Sequence, residues 1–212
     1  MTKLQVALDG DLKLALEILS QVNPFIDIAE VGTPLIFREG MYGVRHIHTR
    51  YPRIKILADL KIMDAGEEEA SIAFENGASF VTVLGVANLQ TIEGALKAAQ
   101  QYQKEIVVDM MQVDNLVQRA NDLLSLGCDI LCVHTAYDLQ SKEASPYRAL
   151  AHLRESFPNG RLAIAGGVKA ASLNAILPYK PEIVVVGGGI CRADDPGQAA
   201  KTLKTMIRMV EG

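Results

Sequence analysis

The chain has 212 residues, of which 49% are hydrophobic and 22% charged, a balance that argues against disorder and for one packed domain over residues 1–212. A formal net charge of −4 without any Lys/Arg block argues against nucleic acid or an anionic membrane surface as the main partner and favours a small molecule. The N-terminus, MTKLQVALDGD, has no long apolar run or cleavage site, so neither a secretory signal nor a membrane span is expected and the expected location is the cytoplasm. Cys128, Cys132 and Cys191 are odd in number and lack CxxC spacing, which fits reduced thiols, with Cys132 a buried strand residue.

In chain order, LQVAL (4–8) predicts a strand and 11–22 a helix, followed by strand FIDIAE (25–30) and helix 34–50. Thr33-Pro34 has the form of an N-cap followed by proline at the first helical position. Strand IKILAD (54–59) precedes helix 67–76, FVTVLG (80–85) precedes 88–102, and EIVVDM (105–110) precedes 113–126. The last three pairs are ILCVH (130–134) with 145–157, RLAIA (161–165) with 169–178, and EIVVVG (182–187) with 194–210. ENGAS, LGCD and PNGR place glycine just past a helix, and Gly77-Ala78-Ser79 corresponds to Gly127-Cys128-Asp129 two units on, a faint repeat of one βα unit. Strands apolar along most of their length belong to a parallel sheet covered on both sides. Eight such units in a row predict a closed (β/α)8 TIM barrel; an open doubly wound sheet is the alternative.

In such a barrel the chemistry lies at the C-terminal strand ends. Strand one ends in Asp9, two in Glu30, three in Asp59 with Lys61 just beyond, five in Asp109 and six in His134. Strands seven and eight end in AGG (165–167) and GGG (187–189), where bare backbone can approach an anion. Any one of these acids could be a cap or turn residue, and a lone His134 could be structural. Titratable groups from five strand ends converging opposite two glycine loops are better explained as a working site, because a half-satisfied buried polar cluster destabilises. His46 and His48, two apart on a helix, face different directions and make a poor metal pair. His152 and the C-terminal Met206 and Met209 read as surface and core.

The stretch ADLKIMDAG (58–66) is the most telling, because charges behind an apolar run must be either an ion-pair plug or a working site. Residues two apart on an extended chain share a side, so Asp59 and Lys61 both project into the mouth, with Asp64 farther out on the loop. Glu30 could join Asp59 in holding Mg²⁺ as hard oxygen ligands. Flanking carboxylates favour the protonated Lys61, which therefore acts as an electrostatic donor to an intermediate such as an enediolate, and not as a Schiff-base nucleophile. Asp109 and His134 remain to move or steer protons.

DLKIMDAG (59–66), AEVGTP (29–34), VDMMQV (108–113), CVHTAYD (132–138), AIAGGVK (163–169) and VVGGGI (185–190) together closely resemble the 3-hexulose-6-phosphate synthase family of the orotidine monophosphate decarboxylase suprafamily. The Asp-x-Lys-x-x-Asp motif marks the suprafamily, and the six segments together mark the synthases and their nearest relatives. The resemblance implies a homodimeric barrel with shared active sites that uses Mg²⁺ to condense formaldehyde with ribulose 5-phosphate through a 1,2-enediolate. It implies Glu30 and Asp59 as metal ligands, Lys61 as the enediolate-stabilising group, Asp64 as a residue reaching into the partner's site and His134 as an acid/base. Asp9 and Asp109 resemble contacts to substrate hydroxyls, and Gly166, Gly167, Gly187 and Gly188 would hold the phosphate through backbone N–H groups. The related 3-keto-L-gulonate 6-phosphate decarboxylases carry arginine at the positions of Tyr137 and Gly188, so both positions fit the synthases. That reaction remains the alternative activity, and a sugar-phosphate-binding protein without catalysis the alternative of another class.

Overall fold

The computed structural model describes residues 1–140 and 146–211. Eight parallel strands close into a barrel in chain order: β1 (Lys3–Leu8), β2 (Ile28–Val31), β3 (Lys55–Ile62), β4 (Phe80–Leu84), β5 (Glu105–Asp109), β6 (Ile130–His134), β7 (Arg161–Ala165) and β8 (Ile183–Val186). Around it run α1 (Leu12–Val22), α2 (Thr33–Glu39), α3 (Met41–Arg50), α4 (Gly66–Glu75), α5 (Leu89–Tyr102), α6 (Leu116–Leu126), α7 (Tyr147–Ser156), α8 (Ala170–Ile176), the single turn α9 (Gly188–Cys191) and α10 (Pro196–Glu211). This is the (β/α)8 barrel that the alternation of runs predicts. Among the described residues no helix is long and apolar enough to cross a membrane.

Local chemistry sets the boundaries. Asp11 caps α1 by accepting from the Leu14 N–H at 2.8 Å, and Asn115 caps α6 by accepting from Gln118 at 3.1 Å, each satisfying an orphan first-turn donor. Gly77 and Gly127, just past α4 and α6, take the left-handed conformation at φ +96° and +94° that lets a helix turn back toward the next strand.

Several boundaries differ from the sequence expectation. The helix expected over 34–50 is two, because Gly40 at φ +57°, ψ −154° breaks it in a conformation that side chains avoid. Thr33 is not the cap of α2 but its first residue, with Gly32 as cap, and its hydroxyl serves another purpose. The second strand starts only at Ile28 because Phe25 is still held in the turn after α1, donating to the Val22 carbonyl at 2.9 Å. The third strand runs on to Ile62, and the sixth helix starts only at Leu116. The helix expected over 145–157 is observed as α7, its first expected residue lying outside the described ones. Met209 is exposed, because the buried side of α10 carries Ala200, Leu203 and Ile207, and Met209, two residues past Ile207, falls on the opposite side.

Side chains of alternate residues fill the barrel. Ile28, Leu57, Phe80, Val107, Ile130 and Ile183 form an inner core distinct from the larger one between sheet and helices. Below it, at the strand starts, an ion network closes the barrel. Arg161 grips Glu182 bidentately at 2.7 and 2.8 Å and Glu105 at 2.6 Å, while Lys3 meets Glu182 at 2.8 Å. Charge-assisted, fork-to-fork bonds of this kind are the strong ones.

The hydrogen-bonded Arg161, working against burial and helped by Lys3, lowers the Glu182 pKa from 4.5 to about 2. The unfolded chain then binds the Glu182 proton more tightly, so the stabilisation is complete above pH 4.5 and is lost as pH falls through about 2. Urea unfolding midpoints should therefore drop steeply over that range. Glu182→Gln should flatten the drop while lowering stability at neutral pH; an unchanged acid profile in the variant would remove Glu182 from the account.

Candidate active site

At the opposite end the inward positions turn polar. Gln5 of β1, Glu30 of β2, Asp59 and Lys61 of β3, Thr82 of β4, Asp109 of β5 and His134 of β6 line one pocket floored by Leu57, Val107 and Ile183. The alternation of strand side chains sends Phe80 and Thr82 inward together, and likewise Ile130, Cys132 and His134.

On β3 the simple alternation fails at the decisive place. Between the Ala58↔Val81 and Ile62↔Val83 pairs β3 advances four residues while β4 advances two, so the strand bulges. Lys61 sits in the bulge at φ +48°, a left-handed backbone costing about 1–3 kcal/mol for a residue other than glycine. Its N–H is taken by the Thr82 hydroxyl at 2.8 Å, and its ammonium is returned to the carboxylate of Asp59, to which it donates. Bulges that re-aim a side chain are characteristic of strand ends beside active sites.

Asp59 is the hub. Oδ1 accepts from Thr82 at 2.7 Å. Oδ2 accepts from Lys61, and the Thr33 hydroxyl lies 2.9 Å from Oδ2 and 2.7 Å from the Asp59 carbonyl. Lys61 Nζ also reaches Thr33 Oγ1 at 3.4 Å. Burial opposes ionisation of Asp59, but Lys61 and the two hydroxyls outweigh it and hold the carboxyl below the ordinary range. Burial likewise opposes the charge on Lys61, and Asp59, with Asp109 and Glu30 beyond it, overrides this and raises the lysine pKa. The lysine is therefore an ammonium at neutral pH, as its carboxylate neighbours predict.

Glu30 shows what remains unbalanced. Burial first, and then the charge of Asp59, push its pKa up to about 8, although Gln5 Nε2 donates to Oε2 at 2.5 Å. Gln5 Oε1 is buried without a hydrogen-bond partner. Among the described residues no group of three or more His, Cys, Asp or Glu is arranged to hold a metal. Two neighbouring carboxylates nonetheless suit magnesium, which takes one or two carboxylates and completes its shell with water and substrate oxygens. A dication would relieve the repulsion that leaves Glu30 hard to ionise.

Across the pocket, His134 Nδ1 lies 2.7 Å from Asp109 Oδ2, and Asp109 Oδ1 accepts from the Met111 N–H at 3.0 Å. A carboxylate held at both oxygens orients an imidazole and fixes the proton on Nδ1, leaving Nε2 for the pocket. Asp9 stands at the rim. Burial and the Asp59 charge raise its pKa, while Lys61, Arg192 and His134 pull it down. Asp64 is exposed and does not line the pocket; it accepts from the N–H of Ala65 in its own loop at 2.8 Å.

Of the glycines, Gly166 has φ +91°, and a Cβ there would meet the Thr135 carbonyl at 2.3 Å, so close approach of β7 to the loop after β6 requires glycine. Gly167 has φ +70° with nothing nearer than 3.8 Å, and Gly187 and Gly188 open α9. The two loops touch, since a Cβ on Gly189 would lie 3.1 Å from the Val168 carbonyl. Thr33, Thr82 and Gln5 were absent from the sequence-based candidates. The signal for the last two is a polar residue at an inward position of an apolar strand, Thr82 in FVTVL and Gln5 in KLQVAL.

A (β/α)8 barrel with a lysine–carboxylate pair and a histidine–carboxylate pair facing one pocket at the C-terminal strand ends is an enzyme barrel. Residues 2–203 match the orotidine 5′-phosphate decarboxylase / HUMPS family model, and the chain belongs to this family. It is 41% identical to 3-hexulose-6-phosphate synthase of Bacillus subtilis over 97% of this chain and 98% of that protein. The structure of 3-hexulose-6-phosphate synthase from Salmonella typhimurium superposes with a TM-score of 0.96 at 37% identity, covering 99% of this chain and 100% of that one. The 3-keto-L-gulonate-6-phosphate decarboxylase from Vibrio cholerae has a TM-score of 0.87 at 27% identity, covering 99% of this chain and 98% of that one.

The dyad is testable without turnover. Nitrogen NMR of the neutral His134 ring should find the proton on Nδ1, and Asp109→Ala should shift the population toward Nε2–H. A native ring protonated on Nε2 would refute the orienting role of Asp109.

Proposed function

We propose that this chain catalyses the Mg²⁺-dependent aldol condensation of formaldehyde with ribulose 5-phosphate to 3-hexulose 6-phosphate through a 1,2-enediolate. The observation that carries this is the ammonium of Lys61, kept charged by Asp59 within a pocket rich in carboxylates. A fixed positive charge at that place is worth most to a reaction whose intermediate gathers negative charge. Among such reactions, the names of the relatives favour the synthase.

Glu30 and Asp59 would hold the ion. When bound, Mg²⁺ would supply Lewis acidity toward substrate oxygens. Lys61 donates a hydrogen bond to the oxygen that becomes anionic as the C–H proton leaves. His134, with Nε2 free and Asp109 behind it, is placed to move protons between substrate carbon or oxygen and the pocket. Asp9 and Asp109 stand where substrate hydroxyls pass, and the glycine loops after β7 and β8 would take the phosphate. Asp64, outside its own pocket, completes the site of a second subunit in a homodimer.

Decarboxylation of 3-keto-L-gulonate 6-phosphate is the second reading. It is favoured by the likeness to the Vibrio cholerae decarboxylase and by the fact that one stabilised enediolate serves both reactions.

Formaldehyde disappearance with ribulose 5-phosphate should be fast with Mg²⁺ and abolished by EDTA, and carbon dioxide release from the keto-gulonate phosphate slow. The reverse ranking would establish the decarboxylase, and silence in both assays would leave a binding protein. Asp59→Ala should lower kcat by about 10²–10³-fold or more; near-normal turnover in EDTA would remove the metal from the mechanism. Asp64→Ala and Lys61→Ala homodimers should each be inactive, while mixed dimers should recover part of the activity. Verified mixed dimers without recovery would place Asp64 outside the partner's site.

A further inference from the structure

The glycines of the proposed phosphate loops carry no charge of their own, and the pocket beneath them is crowded with carboxylates. Several cations near the mouth can be asked whether they are free to meet a dianion. Lys61 is spent on Asp59. Arg38 is tied to the carbonyls of Asp9 and Pro34 at 3.1 and 3.0 Å, and Arg119 to those of Gly85 and Ala87. Arg192, at the end of α9, is different. Its guanidinium forms no ion pair among the described residues, and the one hydrogen bond it donates goes to the Tyr137 hydroxyl at 3.3 Å. Its Cζ lies 5.9 Å from the centroid of the Tyr137 ring.

The placement of that guanidinium is specific. A Cβ built on Gly188 would fall 2.3 Å from Nη2, 2.7 Å from Nε and 2.8 Å from Cζ of Arg192. The arginine therefore lies folded back over the glycine turn, in the space that a side chain at position 188 would fill. Its charge is also felt at Asp9 on the rim. A bare turn covered by an uncommitted fork of N–H donors is the geometry that bidentate recognition of a phosphate needs.

We propose that Arg192, steadied by Tyr137 and admitted by the missing side chain of Gly188, is the cationic half of the phosphate subsite and binds the phosphomonoester of the substrate. The assignment rests on the sugar-phosphate reading above and adds to it a charged residue. Gly188 then serves by absence as much as by its N–H. The Tyr137 hydroxyl holds the guanidinium before substrate arrives, reducing the ordering cost on binding.

Arg192 is exposed, so its replacement should leave folding intact. Arg192→Gln should raise KM for ribulose 5-phosphate by about 10- to 100-fold, the usual worth of a hydrogen bond to a charged group, with a much smaller change in kcat. Arg192→Lys should recover part of the loss and Tyr137→Phe should cost less. Lys169→Gln, an exposed cation on the neighbouring loop, should leave KM near wild type. Gly188→Ala should displace the guanidinium, so its effect on KM should shrink in the Arg192→Gln background. Calorimetry with inorganic phosphate and with ribose 5-phosphate, formaldehyde absent, should show the same dependence on Arg192. Formaldehyde consumption with an unchanged KM in Arg192→Gln, or a loss that follows Lys169 instead, would overturn the subsite and leave the function standing. Arg192-dependent phosphate binding by a wild type that consumes no formaldehyde would do the opposite, and no phosphate binding by the wild type would sink the subsite.

Discussion

The contact on which the site depends is the ion pair of Asp59 with Lys61. A carboxylate only 6% exposed is costly to ionise, and an isolated one would take up a proton instead. Here it keeps its charge because an ammonium and two hydroxyls converge on it. The ammonium in turn remains charged because the carboxylate does. To bring the two together the chain accepts a left-handed Lys61 and a break in the β3–β4 register, and Thr82 secures both consequences by taking the Lys61 N–H and donating to Asp59. Strain of that kind persists only where the surroundings over-determine it.

Charged strand termini can form a plug or a working site, and the two barrel ends of this molecule differ in how completely their charges are paired. At the lower end Arg161, Glu182, Glu105 and Lys3 pair with one another, and the result is a closed, structural layer. At the upper end the pairing is incomplete. Glu30 has burial and a like charge against it, offset only in part by the Gln5 amide and the charge of Lys61, and the oxygen of that amide is itself unpartnered. Incompletely paired polar groups cost stability. Their presence at the upper end alone fits a site whose missing partners arrive with substrate and ion.

The barrel was legible because eight β-branched runs alternate with amphipathic ones, a pattern that depends only on neighbours in sequence. The strand-end groups Glu30, Asp59, Lys61, Asp109 and His134 followed from the same pattern, since a barrel brings together the ends of all its strands. Less legible was whatever depends on contacts across strands. The reasoning that put Asp59 and Lys61 on one side assumed regular alternation, whereas the bulge and a left-handed backbone are what bring the ammonium to the carboxylate. Thr33 looked like a cap because its sequence context is that of a cap, yet its hydroxyl is drawn to Asp59 from a neighbouring strand. Gly40 splits a helix whose apolar spacing runs straight through it, and a glycine inside a helical pattern does not announce by itself that it is a break. The turn α9 was hidden because GGG reads as loop.

The mouth of the barrel is electrostatically divided. One side, around Glu30, Asp59 and Asp109, gathers the carboxylates with Lys61; the other, where the loops after β7 and β8 meet, has bare backbone and the guanidinium of Arg192, which forms no ion pair among the described residues. On the proposed reading, a sugar phosphate would enter with its dianionic end toward the second side, drawn by the guanidinium and the backbone N–H groups. Its uncharged hydroxyl and carbonyl oxygens can approach carboxylates and a hard cation without penalty. Charge would thereby favour the orientation that the proposed chemistry needs, with the reacting carbons toward Lys61 and His134. On this view, specificity for a phosphorylated substrate and reactivity at its far end share one origin, the placement of the two basic side chains Lys61 and Arg192 on opposite sides of an acidic pocket.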